Sequence, residues 1–102
     1  MVVVGSDGFL TRTEDWDEKT AVILAETVGI VLTDAHWEII EFIRGYYQRF
    51  QHLPDNRLFV RAVSPSLGLE KGDSIRLNCL FAGKPVRNAC LIAGLPKPPG
   101  CL

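Results

Sequence analysis

The order of apolar and polar positions predicts a mainly α fold: a small bundle of about five helices with a short N-terminal β-hairpin and a flexible C-terminal arm. Val2 to Val4 and Gly8 to Thr11 flank Gly5-Ser-Asp-Gly8, a glycine-bracketed turn with β-branched residues beside it, which reads as a hairpin. Two strands alone are marginal, so helices must cover them. Asp15 followed by Glu18 resembles a capping box, and helix 1 is expected from Trp16 to about Val28. Ala21, Leu24, Ala25 and Val28 share its apolar stripe, with Val22 and Ile23 beside it and Gly29 as its stop.

Thr33, with Asp34 in the first turn, caps a helix 2 that reaches about Phe50. Trp37, Ile40, Ile43, Tyr47 and Phe50 recur every three or four residues, which makes this the expected central helix. Glu38, Glu41, Arg44 and Arg49 are expected in water. Gly45 inside it costs about 1 kcal/mol relative to alanine, and close packing of another helix would explain it. After the Pro54 turn, Asp55 caps helix 3, Asn56 to about Val63, with Leu58, Phe59 and Ala62 or Val63 inward and Pro65 as its end. Gly68 and Glu70-Lys-Gly-Asp73 form a polar loop, and Asp73 caps helix 4, Ser74 to Phe81, with Leu77, Leu80, Phe81 and Cys79 in the core. Pro85 fits the first turn of helix 5, which runs to Ala93 and stops at Gly94. Residues 1–94 are thus one domain, and residues 95–102 an arm that Pro96, Pro98 and Pro99 keep extended.

A chain of 102 residues, 47% hydrophobic and 23% charged, is an ordinary single globular domain. Its apolar runs are too short for a membrane span, and Met-Val-Val-Val-Gly lacks the basic and long apolar parts of a signal peptide. The expected place is the cytoplasm, where cysteines are more often redox-active or metal-binding than structural staples. The net charge of −1 is unevenly spread: ten acids and four bases lie up to Asn56, two acids and seven bases after it. Arg76, Lys84, Arg87 and Lys97 lie around the arm in sequence, which reads either as scattered solvated charge or as a face for an anion, an acidic protein partner or nucleic acid.

Two of the three cysteines, Cys90 and Cys101, lie in the last stretch, and Cys101 is the penultimate residue. A thiol there gains little from packing, so the arm reads as a device that presents Cys101 to another molecule. The run Ala89-Cys90, Ile92-Ala-Gly-Leu-Pro-Lys-Pro98, Gly100-Cys-Leu102 resembles the C-terminal signature of the DsrC/TusE family. These are small sulfur-relay proteins, also called the gamma subunit of dissimilatory sulfite reductase. Gly8-Phe-Leu10, Trp16, Leu32-Thr33, His36-Trp37-Glu38, Phe42-Ile-Arg44, Tyr46-Tyr47, Lys71-Gly72 and Leu80-Phe81 extend the resemblance over nearly the whole chain. At Leu80-Phe81-Ala82-Gly83-Lys84-Pro85 the chain departs from it, since the family more often has proline after the phenylalanine and a Gly-Pro step.

The resemblance implies that Cys101 carries sulfur as a persulfide and that Cys90 resolves it, the pair holding a sulfur atom as a trisulfide in the two-cysteine DsrC branch. Forms with only the penultimate cysteine resemble TusE, a relay in tRNA 2-thiolation. The implied partners are sulfite reductase-type or sulfurtransferase proteins, with siroheme and iron–sulfur clusters in the partner and no cofactor in this chain. An extended arm could hold the two cysteines more than about 30 Å apart, whereas a disulfide needs Cα atoms within about 4.4–6.8 Å. The arm must therefore bend back, with Gly94 and Gly100 as the available hinges. The protein itself is expected to be a monomer or weak dimer and a protein substrate rather than a stand-alone catalyst.

The same residues admit competing readings. Cys101 can be inert and Cys90 merely buried. Helix 2, the turn and helix 3 with Arg57 and Arg61 could read DNA, although the outer face of helix 2 is acidic and nucleic acid is not the expected partner. No Cys-x-x-Cys pair supports zinc, and His36 and His52 are far from the cysteines in sequence. His36 is expected as a packed or capping residue rather than a base.

Overall fold

The computed structural model describes residues 2–67 and 74–98. The segment 68–73, with the expected Asp73 cap, and residues 99–102, with Cys101, lie outside the described residues. A 3₁₀ turn at Thr13–Asp15 precedes five helices: α1 (Glu18–Thr27), α2 (Asp34–Phe50), α3 (Asn56–Leu67), α4 (Ser74–Leu80) and α5 (Pro85–Ile92).

The hub is α5 rather than α2. It touches all four other helices, and Pro85, Val86, Asn88, Ala89, Cys90, Leu91 and Ile92 are all buried. The reason lies in its composition. Val86, Ala89, Cys90, Leu91 and Ile92 make it apolar nearly all round, and such a helix must be covered on every side. The longer α2 is amphipathic: His36, Ile39, Ile40 and Ile43 are buried, whereas Phe50, expected inside, is 46% exposed. Arg44, expected in water, is half-buried.

The N-terminal hairpin is not supported. Among the described residues there is no strand, only a single antiparallel bridge between Val4 and Leu10. A turn links Gly8 N–H to the Gly5 carbonyl (3.0 Å), and Gly8 takes a φ of 86° that favours glycine. Gly5 N–H donates to the Phe9 carbonyl at 2.9 Å and Thr11 N–H to the Val3 carbonyl at 3.0 Å, and Phe9 and Leu10 are buried, so a few backbone bonds and the buried side chains together hold this turn.

Helix starts follow local capping chemistry. Asp17, not Asp15, caps α1: its carboxylate accepts from Thr20 N–H at 2.7 Å, and that bond holds the carboxyl below its ordinary range. The stabilisation is present near neutral pH and is lost as pH falls through the lowered value. Asp55 caps α3 by accepting from Leu58 N–H at 2.9 Å. Pro65 does not end α3, which runs to Leu67; proline removes one N–H but the following turn still forms. Phe59 and Val63 of α3 face the core, while Leu58, expected inside, is 50% exposed. On α4, Leu77 is buried and Cys79 is exposed. Two residues of helix turn Cys79 by about 200° from Leu77, which places it opposite the core.

His36 ties α2 to the end of α4. Thr33 N–H donates to its Nδ1 at 3.0 Å, which leaves the ring proton on Nε2 to donate to the Leu80 carbonyl at 2.7 Å. Its ring also meets Phe81 edge-on at 5.3 Å. Nearby, Asn88 Nδ2 donates to the Phe81 carbonyl at 2.7 Å. Every buried side-chain N or O among the described residues has a hydrogen-bond partner. Replacing His36 by alanine strands the Leu80 carbonyl and unties the α2 start. A loss of about 2–3 kcal/mol is expected, read from urea unfolding; an unchanged midpoint contradicts this role.

Candidate functional site at the root of the C-terminal arm

The arm leaves the globule through a tightly specified turn. Gly94 N–H donates to the Leu91 carbonyl at 3.3 Å and Leu95 N–H to the Cys90 carbonyl at 3.0 Å. These two bonds, with Gly94 at φ 70° and a buried Leu95, form a Schellman closure. A Cβ on Gly94 would lie 2.8 Å from Trp16 Cγ and 2.9 Å from its Cβ. Glycine is thus required here twice, by backbone conformation and by contact.

Trp16 belongs to this closure and not to α1. Its backbone is extended, at φ −74° and ψ 137°, which turns the indole onto α5. Its Nε1–H donates to the Ile92 carbonyl at 2.8 Å, one of the end carbonyls that a helix cannot satisfy itself. Arg44 of α2 satisfies the next, donating to the Ala93 carbonyl at 2.6 Å. Its guanidinium carbon stands 3.9 Å from the Trp16 ring centroid. The cation therefore sits on an aromatic face and at the negative end of a helix, both favourable places. Burial lowers the Arg44 pKa from its ordinary value, and a guanidinium stays charged nonetheless.

The sequence-predicted residues fall around this root unequally. Cys90 is completely buried on α5. Lys97 is exposed and Pro98, next to it, is buried, so the described part of the arm is seated on the body. Arg87 is half-buried and points at the N-terminal turn. It donates to the Asp7 carbonyl at 3.3 Å and stands 5.4 Å from the Phe9 ring centroid. Lys84 and Arg76 are exposed on the α5 cap and on α4. Cys101 lies outside the described residues, so none of these is placed against it. Gly94 does not serve as a hinge, because Trp16 and two hydrogen bonds fix it. Trp16 and Arg44 were not singled out for this role by sequence reasoning. Their only signal was their place in the family resemblance.

A helical platform whose buried last helix ends in a locked glycine and continues into a proline-rich, cysteine-bearing segment defines a class of small carrier-shaped domain. The DsrC-like protein family model matches residues 1–102, and the chain belongs to that family. It is 44% identical over 97 residues, 95% of this chain and 90% of the relative, to the sulfurtransferase TusE of Yersinia pseudotuberculosis. Against the TusE homolog of Haemophilus influenzae it is 43% identical over 101 residues, covering 99% of this chain and 93% of the relative. Among solved structures it resembles DsrC of Allochromatium vinosum, with a TM-score of 0.89, 42% identity, and coverage of 99% of this chain and 90% of that one. It also resembles the oxidized gamma-subunit of the dissimilatory sulfite reductase (DsrC) of Archaeoglobus fulgidus, with a TM-score of 0.83, 35% identity, and coverage of 99% and 92%.

The root yields two stability predictions. Gly94→Ala should cost upwards of about 3 kcal/mol, from a left-handed backbone and overlap with Trp16. In a Trp16→Ala background the same change should cost clearly less, because only the backbone term remains. Equal costs in the two backgrounds, measured by urea unfolding, contradict the contact. Trp16→Phe keeps the ring but leaves the Ile92 carbonyl without its donor, and about 1 kcal/mol is expected to be lost.

Proposed function

We propose that this chain is a sulfur carrier whose cargo rides on Cys101. The observation that carries the reading is that the family match extends to residue 102, so the cysteine-bearing arm belongs to what the relatives share. The named relatives, a sulfurtransferase TusE and a sulfite reductase gamma-subunit, support the same chemistry. The anchored root supports it mechanically, since it gives the arm a fixed base from which to enter a partner.

In the loading step the Cys101 thiolate attacks the outer sulfur of a donor persulfide. The Cys101 S–S bond forms, the donor S–S bond breaks, and the donor leaves as a thiolate, with no net change of oxidation state. In the release step the Cys90 thiolate attacks Cys101 Sγ and expels hydrosulfide, leaving a Cys90–Cys101 disulfide. A trisulfide between the two thiols is the alternative store. Formed from sulfite, it takes two electrons from the thiols and two from a reductase. Cys90 is completely buried, so release requires displacement of the residues that cover it, and the persulfide on Cys101 is the longer-lived form. Lys84, Arg76 and Lys97, all exposed, supply a positive approach to an acidic partner, a sulfurtransferase or a sulfite reductase, in the cytoplasm. Arg87, turned toward the N-terminal segment, contributes less to it. The chain holds no cofactor of its own in this reading.

Incubation with a persulfide donor followed by intact-mass measurement tests it. The wild-type chain is expected to gain one sulfur, Cys101→Ala to gain none, and Cys90→Ala to load normally but fail to form the internal disulfide on release. No gain on the wild type, or equal gain on Cys101→Ala, removes Cys101 from the role.

A further inference from the structure

Gly45 sits in the middle of α2 without a reason among the described residues. It is not among the glycines at positive φ, so the backbone does not need it. A Cβ there would have no atom of the described residues within 4 Å, so packing against them does not need it either. Alanine would make the better helix. Among the described residues no helix packs closely on Gly45, and beside it lies an open groove of about 500 Å³ between α2 and Ala62 of α3. The groove is apolar in its middle, where Phe42, Tyr46 and Phe50 stack along the helix with ring centroids 6.3 and 4.7 Å apart. Phe50 and Leu58, on the facing helices, are about half exposed.

The charges at its two ends have a particular order. Glu41, Gly45 and Arg49 stand one helical turn apart in sequence, and all three line the groove. Both charged side chains are exposed, and neither has an ion-pair partner among the described residues. Laid antiparallel on a second α2 with the two-fold axis at Gly45, the pattern complements itself. Glu41 of each copy meets Arg49 of the other, the phenylalanines flank the axis, and the glycines let the helices approach at the crossing. A two-fold contact demands this kind of self-complementarity, and an acid and a base about 12 Å apart on one helix face provide it.

We infer that the groove along α2 is a homodimer interface, occupied by α2 of a second copy of this chain crossing at Gly45. Arg44, which holds the arm root, lies on the other flank of α2, about 100° round the helix from Gly45. Pairing therefore leaves both arms available to partners.

Sedimentation equilibrium of the full chain under reducing conditions, at concentrations up to about 1 mM, tests this. A monomer–dimer equilibrium is expected for the wild type. Gly45→Ala should raise the melting temperature and yet shift the chain to monomer, which separates interface loss from misfolding. Glu41→Arg and Arg49→Glu should each be monomeric alone and should form a heterodimer when mixed in equal amounts, because each supplies the charge the other lacks. A wild type that stays monomeric throughout, a Gly45→Ala variant that dimerises as well as the wild type, or a mixture that stays monomeric overturns the proposal.

Discussion

The structure depends on an indole pressed against a residue that has no side chain. Trp16 occupies the space that a Cβ of Gly94 would need, donates to the carbonyl two residues earlier and carries Arg44 on its face. This one contact joins the segment before α1, the middle of α2 and the end of α5. Each participant satisfies something the others leave open. α5 ends with unsatisfied carbonyls, the indole N–H and the guanidinium need acceptors, and the charge needs a polarisable neighbour. Removing any one leaves the others in less favourable surroundings, so the coupling between them exceeds what the separate bonds suggest.

That arrangement makes α5 both the centre of the fold and the base of the arm. A helix buried on all sides resists rotation and translation, because every direction of movement meets packed side chains. The chain emerging from it begins at a fixed point with a fixed heading. The two thiols therefore differ in kind. Cys90 shares the rigidity of α5, while Cys101 lies seven residues beyond the locked glycine in a segment punctuated by prolines. On the proposed carrier reading, the firm thiol of the helix and the cargo-bearing thiol of the arm are separate residues.

What could be read in the sequence was what local chemistry decides. The Asp34 start of α2 behind Thr33, the Asp55 cap, Pro85 at the first position of α5 and Gly94 at its end all follow from residues within a turn of each other. Readings that depended on distant partners failed or were missed. Trp16 looked like the start of a helix because its bond to Ile92 spans 76 residues. Arg44 looked like a wet surface residue because its acceptor, the Ala93 carbonyl, is 49 residues away. Leu58, Phe50 and Cys79 were placed inside by period alone, and near the ends of α3, α2 and α4 the period does not say whether a neighbouring element covers them. The resemblance of the tail to one family was legible outright, since its prolines, glycines and cysteines form an order that packing does not impose.

The central claim is that the root of the arm stays locked whether or not sulfur is carried. Hydrogen exchange at the Leu95 amide and the Trp16 indole N–H, followed in the reduced protein and after persulfide loading, tests it most directly. The account predicts that both protons exchange only at the slow rate set by global unfolding in both forms. Exchange of the Leu95 amide at the rate of an open chain, in either form, would contradict it.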